Sequence, residues 1–241
     1  NVSATEAGTR LLAQVTPALA QIALGLDQAM SLRDSPSGSL RLSADEFAIE
    51  NFLWPKLQPF LAKYPEIKVE LATDYGRGDI VEDRFDAGVR RGSLVSKDMI
   101  SIRISPDIPM GAFAAPAFLK DHVAPRRPQD LAEFECINLR LPTHGELFSW
   151  TFSASGHDRR IATTGRLIFT SLHQVRAACL SGFGIAYLPS DYASHAVEQG
   201  MLVEVLSEWR KTFEGYHLYY ASRRQHAPAL AALITALKYR S

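Results

Sequence analysis

Short apolar runs that suit strands alternate with longer amphipathic runs that suit helices, and this alternation confines the chain to an α/β fold. Residues 40–43 read as a strand, and Asp45 can cap a helix continuing to about Lys63, where Tyr64-Pro65 stops it. Residues 67–72 alternate as a strand, 78–85 read as a short helix, and 87–90 as a third strand. Strand, helix, strand, helix, strand is the pattern of a parallel sheet with covering helices. Residues 99–104 and 110–115 read as further strands around Pro106 and Pro109.

A second set follows. Residues 117–121 and 128–134 are short helices, 136–139 a strand, and 148–153 with 159–163 a hairpin through Gly156. Then come a strand at 167–170, a helix at 172–181 closed by Gly182, a strand at 185–188, and a helix opened by Pro189. The chain ends with a strand at 217–221 and a helix at 227–239, best placed back on the first set. The expected organisation is therefore a first lobe of 37–115 with 216–241, a second lobe of 116–215, and two connections that leave a hinged cleft between them.

The opening segment, 1–36, follows another period. Leu12, Val15, Leu19, Ile22 and Leu26 recur in steps of three and four, the seam of a coiled coil, so this helix is expected to mediate self-association. A simple amphipathic helix packed on its own domain is the alternative. Pro17 removes one amide and must weaken or kink it, and Arg33-Asp34-Ser35-Pro36-Ser37-Gly38 acts as a linker.

Charge narrows the function. The 26 basic side chains equal the 26 acidic ones, whereas a duplex-binding surface needs a basic excess or stripe to neutralise phosphates. If the protein acts on DNA, another part makes the contact. Two cysteines, Cys136 and Cys179, are too few for a disulfide framework and suit a reducing cytoplasm; both read as core residues, without the spacing of a redox pair. No signal peptide opens the chain, and the apolar stretch 227–237 is far shorter than the ~20 residues of a membrane span.

A set of motifs in fixed order resembles the LysR-type transcription regulators. Ser3-Ala4-Thr5-Glu6-Ala7-Gly8 before Leu11-Leu12 resembles the start of that family's linker helix, and Ser37-Gly38-Ser39-Leu40-Arg41-Leu42-Ser43 the beginning of its effector domain. Phe60-Leu61-Ala62-Lys63-Tyr64-Pro65, Phe85-Asp86-Ala87-Gly88-Val89-Arg90-Arg91-Gly92 and Ala115-Pro116-Ala117-Phe118-Leu119 are similar to further family stretches. So are Gly182-Phe183-Gly184-Ile185-Ala186-Tyr187-Leu188-Pro189 and Gly200-Met201-Leu202-Val203. Each motif is short, but together they span nearly the whole chain. The resemblance implies two Rossmann-like lobes with a hinged interlobe cleft, a type 2 periplasmic-binding-protein-like fold preceded by a long linker helix. It also implies a dimer or tetramer, a small-molecule effector, and DNA contact through a winged helix-turn-helix expected before residue 1. Asp45 stands where many members of that family carry proline.

In open α/β sheets ligands sit beyond the carboxyl ends of the strands. That rule selects Ser43, Ala44 and Asp45 after the first strand, Thr73 and Asp74 after the second, and Arg90 to Gly92 after the third. In the second lobe it selects Arg140, Thr170 with Ser171, and Pro189. Amides and dipoles at such ends favour a carboxylate or phosphate, and Arg90 or Arg140 could add a bidentate fork, so a carboxylate or aromatic acid is the expected effector. Asp45 opposes an anion unless a cation lies between them. Ser43, Asp45 and Ser171 could equally be plain helix caps, and Arg90 or Arg91 could pair with Glu82 or Asp83 at the surface.

Enzyme signatures are missing: there is no Walker loop, HExxH, GxSxG or GxGxxG pattern. Gly76-Arg77-Gly78 and Gly182-Phe183-Gly184 read as a turn and a helix end. The seven histidines show no metal-ligand spacing, and His173 and Ser171, two residues apart on a helix, do not face each other. No cofactor or metal is expected, and Trp54, Trp150 and Trp209 read as core or dimer-contact residues. A solute-binding receptor or an enzyme on the same fold are the competing readings.

Overall fold

The computed structural model describes residues 35–75, 80–120, 122–141, 145–154, 156–221 and 228–240, together with 5, 8, 11 and 15–17. Of the proposed coiled-coil seam, Leu12, Leu19, Ile22 and Leu26 lie outside the described residues; Val15 is helical and exposed.

The first sheet runs in the order β2-β1-β3-β13-β4. Strands β1 (Gly38–Ala44), β2 (Ile67–Thr73) and β3 (Ala87–Arg91) are parallel, with Leu42 opposite Leu71 on one side and Ala87 on the other. The alternating apolar residues Leu40 and Leu42 point into the core, as a period of two requires. Strand β13 (Tyr216–Tyr220) is antiparallel to β3 and to β4 (Ile100–Arg103).

The helix after β1 begins as α1 (Glu46–Ala48), widens into a π turn (Ile49–Leu53) and continues as α2 (Trp54–Lys63). Pro55 and Pro59 have no amide to return to the preceding turn, and the π turn lies directly ahead of them. Residues 78–85 were expected to be helical; of the described part, 80–85, residues 80–84 are turns ending at Arg84 with φ +59°, a conformation that cannot continue a right-handed helix.

The second sheet runs β11-β5-β10-β6-β9, with β12 also pairing β5. It holds β5 (Ile108–Ala114), β6 (Cys136–Leu139), β9 (Ile168–Phe169), β10 (Ile185–Pro189), β11 (Val203–Val205) and β12 (Lys211–Phe213). A hairpin of β7 (Trp150–Ala154) and β8 (His157–Ile161) flanks it. Helices α3 (Pro116–Leu119), α4 (Leu172–Leu180) and α5 (Ser190–Glu198) follow their strands; α4 and α5 cover the sheet, and α6 (Pro228–Leu237) packs back on β1 and α2.

One strand departs from expectation. β5, placed by its sequence position within the first lobe (37–115), pairs with β10, β11 and β12 in the second sheet. The chain therefore crosses between β4 and β5, and returns between β12 and β13. The two crossings are tied together: Ile104 N donates to Tyr216 O at 2.8 Å, Tyr216 N to Ser105 Oγ at 2.7 Å, and Gly215 N to Asp107 Oδ1 at 3.0 Å. A Cβ on Gly215 would come within 2.4 Å of Pro106 O, so this approach requires glycine. One apolar cluster runs through both lobes, from Leu42 and Leu230 to Trp150 and Leu188. Trp150 is fully buried whereas Trp54 is exposed. No described helix is long and apolar enough to cross a membrane.

Candidate functional site

Where the crossings meet, the two lobes enclose a cavity. Its floor is Arg90 and Arg91 at the end of β3, Leu94 beyond it, Ile108 and Met110 of β5, Phe213 of β12 and Tyr216 of β13. Asp45, Phe47 and Tyr75 form one wall, and Leu139, Leu141, Phe148, Leu172, Tyr187 and Pro189 the other. Its solvent-accessible volume is about 130 Å³; a buried water needs about 10–15 Å³ on that measure, so there is room for roughly ten non-hydrogen atoms. The lining is largely aromatic and aliphatic, with a few polar groups aimed inward, which is the composition of a small-molecule site.

Asp45 Oδ1 accepts the Ala48 amide at 2.8 Å and so caps α1. Its carboxyl also hydrogen-bonds with the Tyr216 hydroxyl. Burial raises the Asp45 pKa above the usual carboxylate range, while the Ala48 amide, Tyr216 and the charges of Arg90 and Arg91 pull it down. Tyr216 is pushed well above its ordinary value by burial and by the Asp45 charge. Burial likewise raises Tyr187, whose hydroxyl donates to Thr151 O, and raises Tyr75, which donates to Glu46 Oε2 at 3.2 Å.

The two arginines at the end of β3 have different surroundings. Arg90 is buried; it donates to Val89 O at 2.8 Å, Ser43 Oγ at 3.1 Å and Asp74 Oδ2 at 2.9 Å, tying the ends of β1, β2 and β3 together. Arg91 forms no ion pair among the described residues. Its guanidinium lies 4.6 Å from the Phe213 ring centre and 5.8 Å from that of Phe148, so a first-lobe cation rests on second-lobe aromatics.

At the rim the lobes touch directly. Glu46 reaches across to α4: Ser171 Oγ donates to its carboxylate at 3.0 Å and the Leu172 amide at 3.0 Å. Ser171 makes no side-chain cap of its own helix; a carboxylate from the opposite lobe accepts the first amide instead, as the dipole at a helix N-terminus favours. Beside it His173 Nε2 is 2.5 Å from Glu50 Oε1, and its Nδ1 contacts the Tyr192 hydroxyl. Burial and the Glu50 charge push Tyr192 up to about 12. The free thiols Cys136 and Cys179 are raised by burial to about 12, too high for easy ionisation.

Of the residues picked from strand ends, Asp45, Arg90 and Pro189 line the main cavity, and Thr73, Thr170 and Ser171 line a smaller pocket beside it with Glu46, Asp74 and Tyr75. Ser43 and Ala44 are buried behind them, where Ser43 serves Arg90. Gly92 donates its amide to Gly215 O in the crossing. Arg140 turns its guanidinium to Gly145 O in its own loop and is not part of the lining. The surface pairing considered for Arg90 with Glu82 or Asp83 gives way to Asp74, because the side chain points inward. Arg91 lies within the selected segment from Arg90 to Gly92 and lines the main cavity. Glu46, Tyr75, Tyr187 and Tyr216 were not selected and become visible only once the lobes are assembled.

The family model for the LysR substrate binding domain matches residues 33–241. The chain belongs to the LysR family of transcription regulators. Among its relatives, a Pseudomonas aeruginosa protein named as a transcriptional regulator is 42% identical over 239 residues, 99% of this chain and 78% of that protein. The HTH-type transcriptional regulator PgrR of Escherichia coli is 38% identical over 240 residues, 100% of this chain and 80% of that one. Of solved structures, the full-length Vibrio cholerae virulence activator AphB superposes with TM-score 0.74 at 25% identity, covering 97% of this chain and 78% of AphB. CrgA from Neisseria meningitidis, a LysR-type regulator, has TM-score 0.71 at 22% identity, covering 96% and 78%. The two-lobed effector-domain fold is thus shared with regulators, and the cavity is lined by residues of both sheets.

Proposed function

We propose that the chain is the effector-sensing and oligomerisation part of a LysR-type regulator, which binds a small-molecule inducer in the interlobe cleft and thereby controls DNA binding by the regulator's winged helix-turn-helix. The observation that carries this reading is the position of the cavity. Its floor includes Ile108, Phe213 and Tyr216, which flank the two chain crossings, and its walls come from both lobes, so an occupant would favour one lobe angle over others by its differential contacts. The site is read as binding and not catalytic: Asp45, the carboxyl in the lining, is held as a helix cap and hydrogen-bonds with Tyr216. A cytoplasmic location follows from the same reading, since a regulator works where the DNA is.

Self-association belongs to the proposal. The exposed Trp54 on α2 and the seam of the first helix are the surfaces we assign to it, and sedimentation at micromolar concentration should give a dimer or tetramer.

The cleft is tested by thermal-shift screening of small acids, amino acids and aromatics against the wild type and Leu94→Arg. Leu94 is half-buried on the cavity floor, so the long side chain would fill the cleft with little damage to the core. A ligand that raises the wild-type midpoint and leaves the variant unmoved supports the site. An equal rise in both would place the effector elsewhere.

A further inference from the structure

Building on the cleft as effector site, we infer that its ligand is a small zwitterion, carrying an ammonium and a carboxylate on an apolar body, in the manner of an apolar amino acid. The carboxylate is assigned to Arg91 and the ammonium to Asp45.

The charges in and around the cavity carry this assignment. Four ionisable groups matter, and two are already matched: Arg90 is paired with Asp74 at 2.9 Å and bonded to Ser43. Asp45 and Arg91 remain. They lie close enough for the Arg91 charge to act on the Asp45 carboxyl, yet neither is in an ion pair among the described residues. An acid and a base face one cavity without joining. A net anion would meet Arg91 and also the Asp45 carboxyl; a net cation would meet the reverse. A molecule with both charges satisfies the two together.

The surroundings exclude the simpler alternative of a plain acid seated on α4. That helix N-terminus already holds the Glu46 carboxylate through Ser171 and Leu172. Among the described residues the pocket beside it is lined by Glu46 and Asp74 and by no basic side chain, so an anion there would face two carboxylates. The place left for a carboxylate is inward, at Arg91. The guanidinium is held by Phe213 and Phe148, which orients its donors without using them. Leu139, Met110 and Tyr187 offer the apolar body an apolar and aromatic surface, and room for roughly ten non-hydrogen atoms suits an amino acid about the size of leucine or phenylalanine. The Asp45 cap also fits: burial makes its charge costly, and an ammonium partner would offset that cost.

The test is calorimetry with L-leucine, L-methionine and L-phenylalanine, against 3-phenylpropionate, which lacks the ammonium, and 2-phenylethylamine, which lacks the carboxylate. At least one amino acid should bind, and each phenylalanine analogue should bind about ten- to a hundredfold more weakly than L-phenylalanine, the value of one charged hydrogen-bond pair. Arg91→Gln should abolish the advantage over the amine, and Asp45→Asn the advantage over the acid. Asparagine caps a helix as well as aspartate does, so this variant keeps the fold. If either analogue binds as tightly as L-phenylalanine, or if no amino acid binds, the zwitterion assignment is overturned. Analogue binding that Leu94→Arg removes would overturn it while leaving the cleft as effector site. Amino-acid binding that Leu94→Arg does not affect would overturn both.

Discussion

At the rim of the cleft, Glu46 and Glu50 from the first lobe meet Ser171, Leu172 and His173 from the second, and their hydrogen bonds are made within the protein. At the floor, Asp45 and Arg91 share a cavity and form no ion pair with each other or with other described residues. Both regions join the lobes, and both use charged side chains a few residues from a strand end. On our proposal the rim groups bias the angle between the lobes, and the floor groups are the ones left for a ligand. The same contrast holds between neighbours on β3, where Arg90 is structural and Arg91 forms no ion pair among the described residues.

The largest effect that would test this contrast is on Arg90. Arg90→Ala should destabilise the fold by about 3 kcal/mol, the low end for removing one partner of a buried pair, because it removes the buried guanidinium that joins Asp74 and Ser43. With a few degrees per kcal/mol for a domain of this size, the thermal midpoint should fall by roughly 10 °C. Arg91→Ala, which loses only stacking on Phe213 and Phe148, should cost below about 1 kcal/mol. Equal losses for the two would remove the distinction between them.

A smaller effect belongs to the rim. Glu46→Gln keeps an oxygen for Ser171 and Leu172 but removes the charge from the α4 N-terminus, at a cost of about 1 kcal/mol. The lobes should then open more readily, seen as a larger radius of gyration in solution scattering without ligand. A compact wild-type radius in Glu46→Gln would mean that the rim contacts follow closure and do not hold it.

How far the sequence alone reaches differs between the same regions. Strands with strong local signals stand where expected: β6 occupies residues 136–139, and β1, β2 and β10 are each within two residues of their expected ends. β11 and β12 were not anticipated, since three residues are too few to display alternation. β5 had a clear strand pattern, but a local pattern does not say which sheet a strand joins, and its partners β10 to β12 come seventy or more residues later. The site shows the same division. The strand-end rule found Asp45 and Arg90 because it depends on topology. It also chose Arg140, which the fold turns to Gly145, and it took in Arg91 without its setting, which is made by Phe148 and Phe213 from the far lobe. The helix-cap alternative for Ser43 and Ser171 does not hold: neither caps its own helix, and each serves a charged group from elsewhere in the fold.

The smallest effect is on Asp45, and its pH dependence makes it decisive. Burial outweighs the Ala48, Tyr216 and arginine contributions, so the folded protein holds the Asp45 proton more tightly than the unfolded chain, whose carboxyl titrates near 3.8. Proton binding that favours the folded state makes stability fall as pH rises from 3.8 through the folded carboxyl's raised range, and the loss persists above it. Asp45→Asn carries no such proton and keeps the cap. The variant should therefore match the wild type in acid below 3.8 and become the more stable of the two once the wild-type carboxyl has ionised, by less than Glu46→Gln costs. Thermal midpoints of both proteins across pH 3 to 8 measure the difference directly. If the variant were instead less stable at pH 7, the ionised Asp45 would be stabilising the fold through Arg90 and Arg91. The floor would then resemble the rim, with its charges already satisfied and none left for a ligand.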